Sequence, residues 1–266
     1  MLQAKNGSLS LEGSYMDYVR FGAGSRTLIL IPGVGDGLKT VKGMALPFAL
    51  LYRKLAKDFT VYLFSRRQDL PPHCGTREMA EDLSRAMDAL QLRGACVVGV
   101  SQGGMIAQWL AIDHPEAVSR LILTVTASHS NPTMRDVIGR WLAMAEQGDY
   151  AGILLDTALR SYTPRRLRLL RPSYALLGAV SKPKSLARFR TQAEACLSHD
   201  AYGALPDIAC PTLVVGGTED QIVTGEASRE LAGQIPGAKL YLYAGLGHAL
   251  YEEAPDYLDR VIAFCR

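Results

Sequence analysis

The hydrophobic positions of this chain follow two periods, and the two take turns. From Tyr15 to Phe21 apolar and polar residues alternate, which predicts an early strand in an antiparallel pairing. Thr27 to Ile31, Thr60 to Phe64, Ala95 to Val100, Leu121 to Val125 and Thr212 to Gly216 are short, nearly continuous apolar runs. Runs of that kind suit strands buried on both faces. Lys239 to Leu242 reads as one more strand. Between strands the period becomes helical: Met79, Leu83, Met87 and Leu90 form one stripe, with Glu81, Asp82, Arg85 and Asp88 away from it. A second helix is expected from about Gly103 to Asp113, ending before Pro115, and a last one from about Pro255 to Phe264. The alternation predicts an α/β fold, a mostly parallel central sheet with helices on both faces. From Ser128 to Leu205 the strand pattern disappears, and helical segments broken at Pro164, Pro172 and Pro183 take its place. This predicts a helical cap at 128–205 inserted into a core made of 1–127 and 206–266.

One junction between the two periods carries candidate chemistry. Gly99-Val100-Ser101-Gln102-Gly103-Gly104 sits between the strand ending at Val100 and the helix that follows. A serine held in a sharp strand-to-helix turn is strained, and the residues two positions either side must be small. Serine is also a common helix cap, but a cap does not require glycine at both flanking positions. A serine hydroxyl needs a base, most often a histidine oriented by a carboxylate. Asp220 follows the strand ending at Gly216, and His248 lies in Gly245-Leu246-Gly247-His248, a loop after the last strand. The order Ser101, Asp220, His248 is that of the fold in which this elbow occurs. Glu219 is a rival acid. His114 reads as structural, and His73 and His199 as surface residues. After the first long strand, Pro32-Gly33-Val34-Gly35-Asp36-Gly37 can turn sharply and aim an amide at a reacting oxygen, so Val34 and Gln102 are the expected oxyanion donors. This glycine loop lacks the spacing and the lysine of a nucleotide-binding loop.

Composition narrows the field without choosing a substrate. The chain has 266 residues, 48% hydrophobic and 21% charged, which fits one large folded unit and argues against disorder. Its net charge of +3 gives no support for nucleic-acid binding. The predicted cap holds eleven Lys or Arg against six Asp or Glu, so the positive charge is concentrated there. Its densest run, Arg165 to Arg171, suits an anionic substrate or an acidic surface, or is a solvated helix face. Five scattered cysteines, Cys74, Cys96, Cys196, Cys210 and Cys265, suggest neither a disulfide framework nor a zinc site, and a reducing compartment is expected. No apolar run approaches the roughly 18 residues of a membrane span, and the first residues lack the apolar stretch of a signal peptide, so a cytoplasmic protein without membrane partners is expected.

With these motifs in place, the chain resembles the α/β-hydrolase superfamily over nearly its whole length. The resemblance rests on the Gly-x-Ser-x-Gly-Gly turn, the cap after the strand ending at Val125, the stretch Cys210 to Gly216 and the Gly-x-Gly-His loop. It is closest to small capped esterases, enol-lactonases and carbon–carbon bond hydrolases. It implies a cofactor-free serine hydrolase acting on a small ester, thioester or lactone, with Ser101, Asp220 and His248 as nucleophile, acid and base. Carbon–carbon cleavage or a lyase reaction on the same residues is the alternative, and a ligand-binding receptor that keeps the fold is a third. Two positions depart from the pattern: Pro32-Gly33 replaces His-Gly, and Ser65 to Thr76 replaces an Asp-x-x-Gly-x-Gly-x-Ser stretch. Leu38, Met105, His129, Trp141, Met144 and Tyr174 are candidates for the pocket lining, each apolar one with core packing as the rival role. Oligomeric state is not read from the sequence.

Overall fold

The computed structural model describes residues 2–170 and 182–266. Eight strands form one sheet in the order β1-β2-β4-β3-β5-β6-β7-β8. These are β1 (Lys5–Leu11), β2 (Ser14–Phe21), β3 (Arg26–Ile31), β4 (Phe59–Arg67), β5 (Ala95–Val100), β6 (Val118–Thr124), β7 (Thr212–Gly217) and β8 (Lys239–Tyr243). β1 and β2 pair antiparallel, β2 joins β4 antiparallel, and every pairing from β4 through β8 is parallel. The expected antiparallel strand is β2. Its partner β1, KNGSLSL, carries too many turn-forming residues to stand out in the sequence, and it is an edge strand with only Leu11 buried.

Helices cover both faces because successive residues of a strand point to opposite sides. Val97 packs on one side with Met79 and Leu83 of α2 (Thr76–Ala89) and Ile106 and Leu110 of α3 (Gln102–Asp113). Its neighbour Val98 packs on the other with Ala45 and Ala49 of α1 (Ala45–Leu51) and with Val261 near the C-terminus. Within α2 the expected stripe is buried at Met79, Leu83 and Met87. Asp82, placed away from the stripe by the helical pattern, is also buried, and pairs with Arg67 at 3.3 Å.

Between β6 and β7 the described residues are helical: α4 (Pro132–Glu146), α5 (Tyr150–Ser161), further turns over 164–170, α6 (Ala187–Ser198) and a 3-10 segment at Tyr202–Asp207. They enclose a core of their own, with Met134, Trp141, Ile153 and Phe189 packed against Met105 of α3. The outgoing and returning ends of this insertion are tied to each other. Ser130 N donates to His199 O at 3.1 Å, and Ala201 N donates to Ser128 O at 2.8 Å. The last helices are α7 (Gly225–Gln234), α8 (Leu250–Glu253) and α9 (Tyr257–Cys265).

The cysteines correct the sequence reading. Cys96 at the start of β5 and Cys265 at the end of α9 form a disulfide with Cα atoms 6.0 Å apart, while Cys74, Cys196 and Cys210 are free. The partners lie 169 residues apart, so neither spacing nor an odd count reveals them. With a disulfide present, the cysteines no longer argue for a reducing compartment. No helix among the described residues is long and apolar enough to cross a membrane.

Candidate active site

Because β3 through β8 run parallel, the loops after their C-terminal ends collect at one edge of the sheet. Ser101 follows β5 there with φ 54° and ψ −121°, a left-handed conformation in which a non-glycine residue is strained. The turn is held by Ser101 N donating to Thr124 O at 2.9 Å and by Gly104 N donating to Ser101 O at 2.8 Å. It also requires its glycines. A Cβ at Gly99 would overlap the Gly103 carbonyl, and one at Gly103 would overlap the carbonyl of Ile31. The expected small-residue constraint is thus met by backbone contacts on both sides of the serine.

Asp220 and His248 come from the loops after β7 and β8 and meet at that edge, with Asp220 Oδ2 2.8 Å from His248 Nδ1. The other oxygen, Oδ1, accepts from Ile222 N at 2.8 Å and Val223 N at 3.0 Å, which fixes the carboxylate in the plane it presents to the imidazole. Both side chains are buried, the histidine 9% exposed and the aspartate 1%. Burial alone would raise the Asp220 carboxyl. The nearby imidazole and the two amides outweigh it and hold the carboxyl below its ordinary value. Glu219, the rival acid, instead accepts from its neighbour Thr218 Oγ1 at 3.3 Å. Ser101 and His248 open onto one cavity of about 330 Å³, roofed by Trp141, Thr157 and Ser161 of the helical insertion. The insertion is latched to the histidine loop: Ala249 N donates to Ser161 O at 3.0 Å, and Thr163 Oγ1 donates to Glu253 at 2.6 Å.

The loop after β3 passes close to the serine. A Cβ at Gly33 would sit 3.3 Å from Ser101 Cβ, and Val34 lines the cavity. Beneath this loop lies a buried polar network that the sequence reading did not find. Arg66, at the end of β4, donates through Nη2 to Pro32 O and to Gln102 Oε1, the latter at 3.1 Å. It therefore ties the loop after β3 to the residue that follows Ser101. Asp36 Oδ2 accepts from Arg188 at 2.6 Å, from Arg66 N at 3.0 Å and from Gln192 at 3.2 Å. Burial, opposed by Asp36, lowers the Arg66 guanidinium to about 10. The sequence signal was the odd stretch beginning Ser65-Arg66-Arg67. Its partners lie 34 and 36 positions away, beyond the reach of local patterns.

Of the residues expected to line the pocket, Trp141 does so. Leu38 lines an adjoining cavity. Met105 belongs to the packed core of the insertion, and Met144, half-buried, packs against that core. His129 sits at the crossing into the insertion, where it faces Tyr202 edge-on and bridges to Asp200. Tyr174 lies outside the described residues. His199, expected at the surface, is buried, with Nδ1 2.8 Å from Thr76 Oγ1. No group of three His, Cys, Asp or Glu side chains that could hold a metal comes together among the described residues.

Known proteins share this architecture. The chain is 27% identical over 249 residues to a putative carbamate hydrolase of a Caulobacter species, an alignment covering 89% of each chain. Among solved structures it resembles an α/β-hydrolase enzyme from a Medee basin deep-sea metagenome library, with TM-score 0.87, 19% identity, and 97% and 96% of the two chains covered. It also resembles the enol-lactonase of Burkholderia xenovorans, with TM-score 0.82, 22% identity, and 97% and 99% covered. The family model described as the alpha/beta hydrolase fold matches residues 26–255. With β3 to β8, six of the eight strands, and the loops bearing Ser101, Asp220 and His248 inside that match, the chain belongs to the α/β-hydrolase family.

Proposed function

We propose that this hydrolase is a serine hydrolase that cleaves a small ester, thioester or lactone through an acyl-enzyme on Ser101, beneath a cap formed by 128–205. The observation that carries the reading is the 2.8 Å contact of Asp220 with His248, which lines one cavity together with the strained serine. Asp220 keeps the proton of the imidazole on Nδ1, which leaves Nε2 to act as base. Ser101 Oγ attacks the carbonyl carbon as Nε2 takes its proton. The amides of Val34 and Gln102 stabilise the tetrahedral oxyanion, each donor worth roughly 3 kcal/mol. Collapse expels the alcohol or thiol, which leaves with the proton from Nε2. A water then attacks the acyl carbon, gives its proton to Nε2, and the acid departs as Ser101 recovers its hydrogen.

A phosphonylating active-site probe tests the reading directly. Ser101 in the folded protein is expected to react with a fluorophosphonate, and the Ser101→Ala variant is expected neither to react nor to turn over p-nitrophenyl acetate. Most of the turnover surviving in Ser101→Ala would remove Ser101 from the mechanism. An unreactive serine in folded wild type would favour a ligand-binding role.

A further inference from the structure

Two further cavities adjoin the one that holds Ser101 and His248, and their chemistry differs. The first, about 210 Å³, lies behind the loop after β3 and shares Pro32, Gly33, Phe48 and Tyr251 with the catalytic cavity. The rest of its wall is largely aliphatic, including Leu55, Leu63, Val98 and Leu258. Two of its polar groups are already engaged: the Tyr257 hydroxyl lies 2.8 Å from Thr124 Oγ1, and Glu252 accepts from the Tyr162 hydroxyl at 2.6 Å. The second cavity, about 460 Å³, shares Asp36, Lys39 and Thr40 with the catalytic one and extends to Lys184 and Arg188. Arg188 is held by Asp36 at 2.6 Å, and Asp69 in the same wall accepts from Ser14 Oγ at 3.1 Å. Lys39 and Lys184 are exposed, and neither ammonium has an ion-pair partner among the described residues. The catalytic serine thus lies between an aliphatic compartment and a cationic one.

We propose that the substrate is amphiphilic: an ester or thioester with an aliphatic acyl chain seated behind the loop after β3, and a leaving group whose far end carries a carboxylate or phosphate met by Lys39 and Lys184. The assignment rests on the serine-hydrolase reading above. It follows from the order of steps. The acyl group stays bonded to Ser101 after the first step, so it suits the aliphatic compartment, while the alcohol or thiol must leave and suits the solvated cationic one. Each methylene buried is worth roughly a factor of four in transition-state binding. Attraction to the lysines is screened by salt, because the Debye length is about 10 Å at 0.1 M.

The test is a panel of phenyl, 4-carboxyphenyl and 4-phosphonooxyphenyl esters, each with acetyl and hexanoyl groups, normalised to active sites titrated with fluorophosphonate. In the wild type kcat/KM is expected to rise at least about tenfold from acetyl to hexanoyl. Leu258→Trp, which fills the aliphatic compartment from a half-buried position, is expected to cancel that rise. Replacing Lys39 and Lys184 together by Ala is expected to lower the ratio of anionic to neutral leaving groups about three- to tenfold through KM, and 0.5 M salt to do the same to wild type. Comparing ratios between variants removes the intrinsic reactivity of each phenol, and the two anionic esters distinguish carboxylate from phosphate. A flat chain-length profile, or a ratio unmoved by the double substitution, overturns the amphiphile while labelled Ser101 keeps the hydrolase reading intact. No labelling and no turnover of any ester overturns both.

Discussion

Among the described residues serine, histidine and carboxylate come together in two clusters, and the two are built differently. In the first, Ser101 stands in a strained turn over a cavity, and Asp220 is locked by two amides before it meets His248. In the second, Ser128 Oγ donates to Glu230 Oε1 and lies 2.9 Å from His129 Nδ1, while His129 Nδ1 is 3.3 Å from Glu230. Here the histidine and glutamate are 39% and 34% exposed, against 9% and 1% for His248 and Asp220. Ser128 is wholly buried, its hydroxyl committed to the glutamate, and its carbonyl takes the amide of Ala201. This cluster fastens the chain where it passes from sheet to insertion. The same three residue types therefore give a tie in one place and a candidate catalytic group in the other. What differs is backbone strain, fixation of the carboxylate and access to a cavity.

The difference predicts opposite outcomes for matched substitutions. Ser101→Ala is expected to lower kcat for p-nitrophenyl acetate by about 10⁴-fold or more, whereas Ser128→Ala is expected to stay within about threefold of wild type. A comparable loss in both would erase the distinction. For the acids, Asp220→Asn is expected to cost about 10³- to 10⁴-fold in kcat, because an amide at that place favours the wrong imidazole tautomer. Glu230→Gln keeps an acceptor for Ser128, and steady-state kinetics should show little change.

Ser101, Asp220 and His248 were legible because each follows a strand with its own apolar run, and parallel pairing brings the ends of such strands to one edge. The bulk of the sheet was legible for the same reason. His129 shows the limit. Its place after β6 suggested the pocket, yet the chain turns at Ser128 and crosses toward Asp200, a pairing that depends on a segment some 70 residues on. The partners of Arg66, Cys96 and Cys265 were hidden for a related reason, since they come from distant parts of the chain, although the stretch around Arg66 stood out. Short α1, with exposed Leu46, Leu50 and Leu51, shows too little amphipathic contrast to announce itself.

Arg66 gives an intermediate test of what fixation contributes to the first cluster. Its Nη2 alone carries the ties to Pro32 and Gln102, because Nε and Nη1 have no hydrogen-bond partner among the described residues. Arg66→Met keeps the bulk but releases the loop that bears Val34 from the residue after Ser101. The expected result is a fall in kcat of about 10- to 100-fold with little change in KM, less than the loss of a whole oxyanion donor. A fall in KM-dependent binding alone would assign Arg66 to packing instead.

The smallest effect concerns the crossing that the second cluster ties, and it separates the two clusters by pH. His199 sits at that crossing, its carbonyl taking Ser130 N and its ring facing Thr76 and the edge of Trp109. Burial lowers its pKa to about 4, and neither Asp200 nor the backbone of Ala127 offsets this, while His129 adds to it. Between about pH 4 and 6.5 the unfolded chain therefore binds a proton at this site that the folded chain does not. The slope of unfolding free energy with pH is then positive, so stability is lost as pH falls, by up to about 1.4 kcal/mol per unit from this residue. Asp220 acts in a lower window: its carboxyl lies below the ordinary 3.8, so its stabilisation is full above that value and fades only as pH drops through the folded pKa. Acid should accordingly loosen the crossing before it disturbs the Asp220 carboxylate. Urea midpoints of wild type and His199→Gln, compared at pH 7 and pH 5, measure this. The glutamine retains a partner for Thr76 but cannot titrate, so its stability should change less between the two pH values. Equal losses in both proteins would remove His199 as the cause.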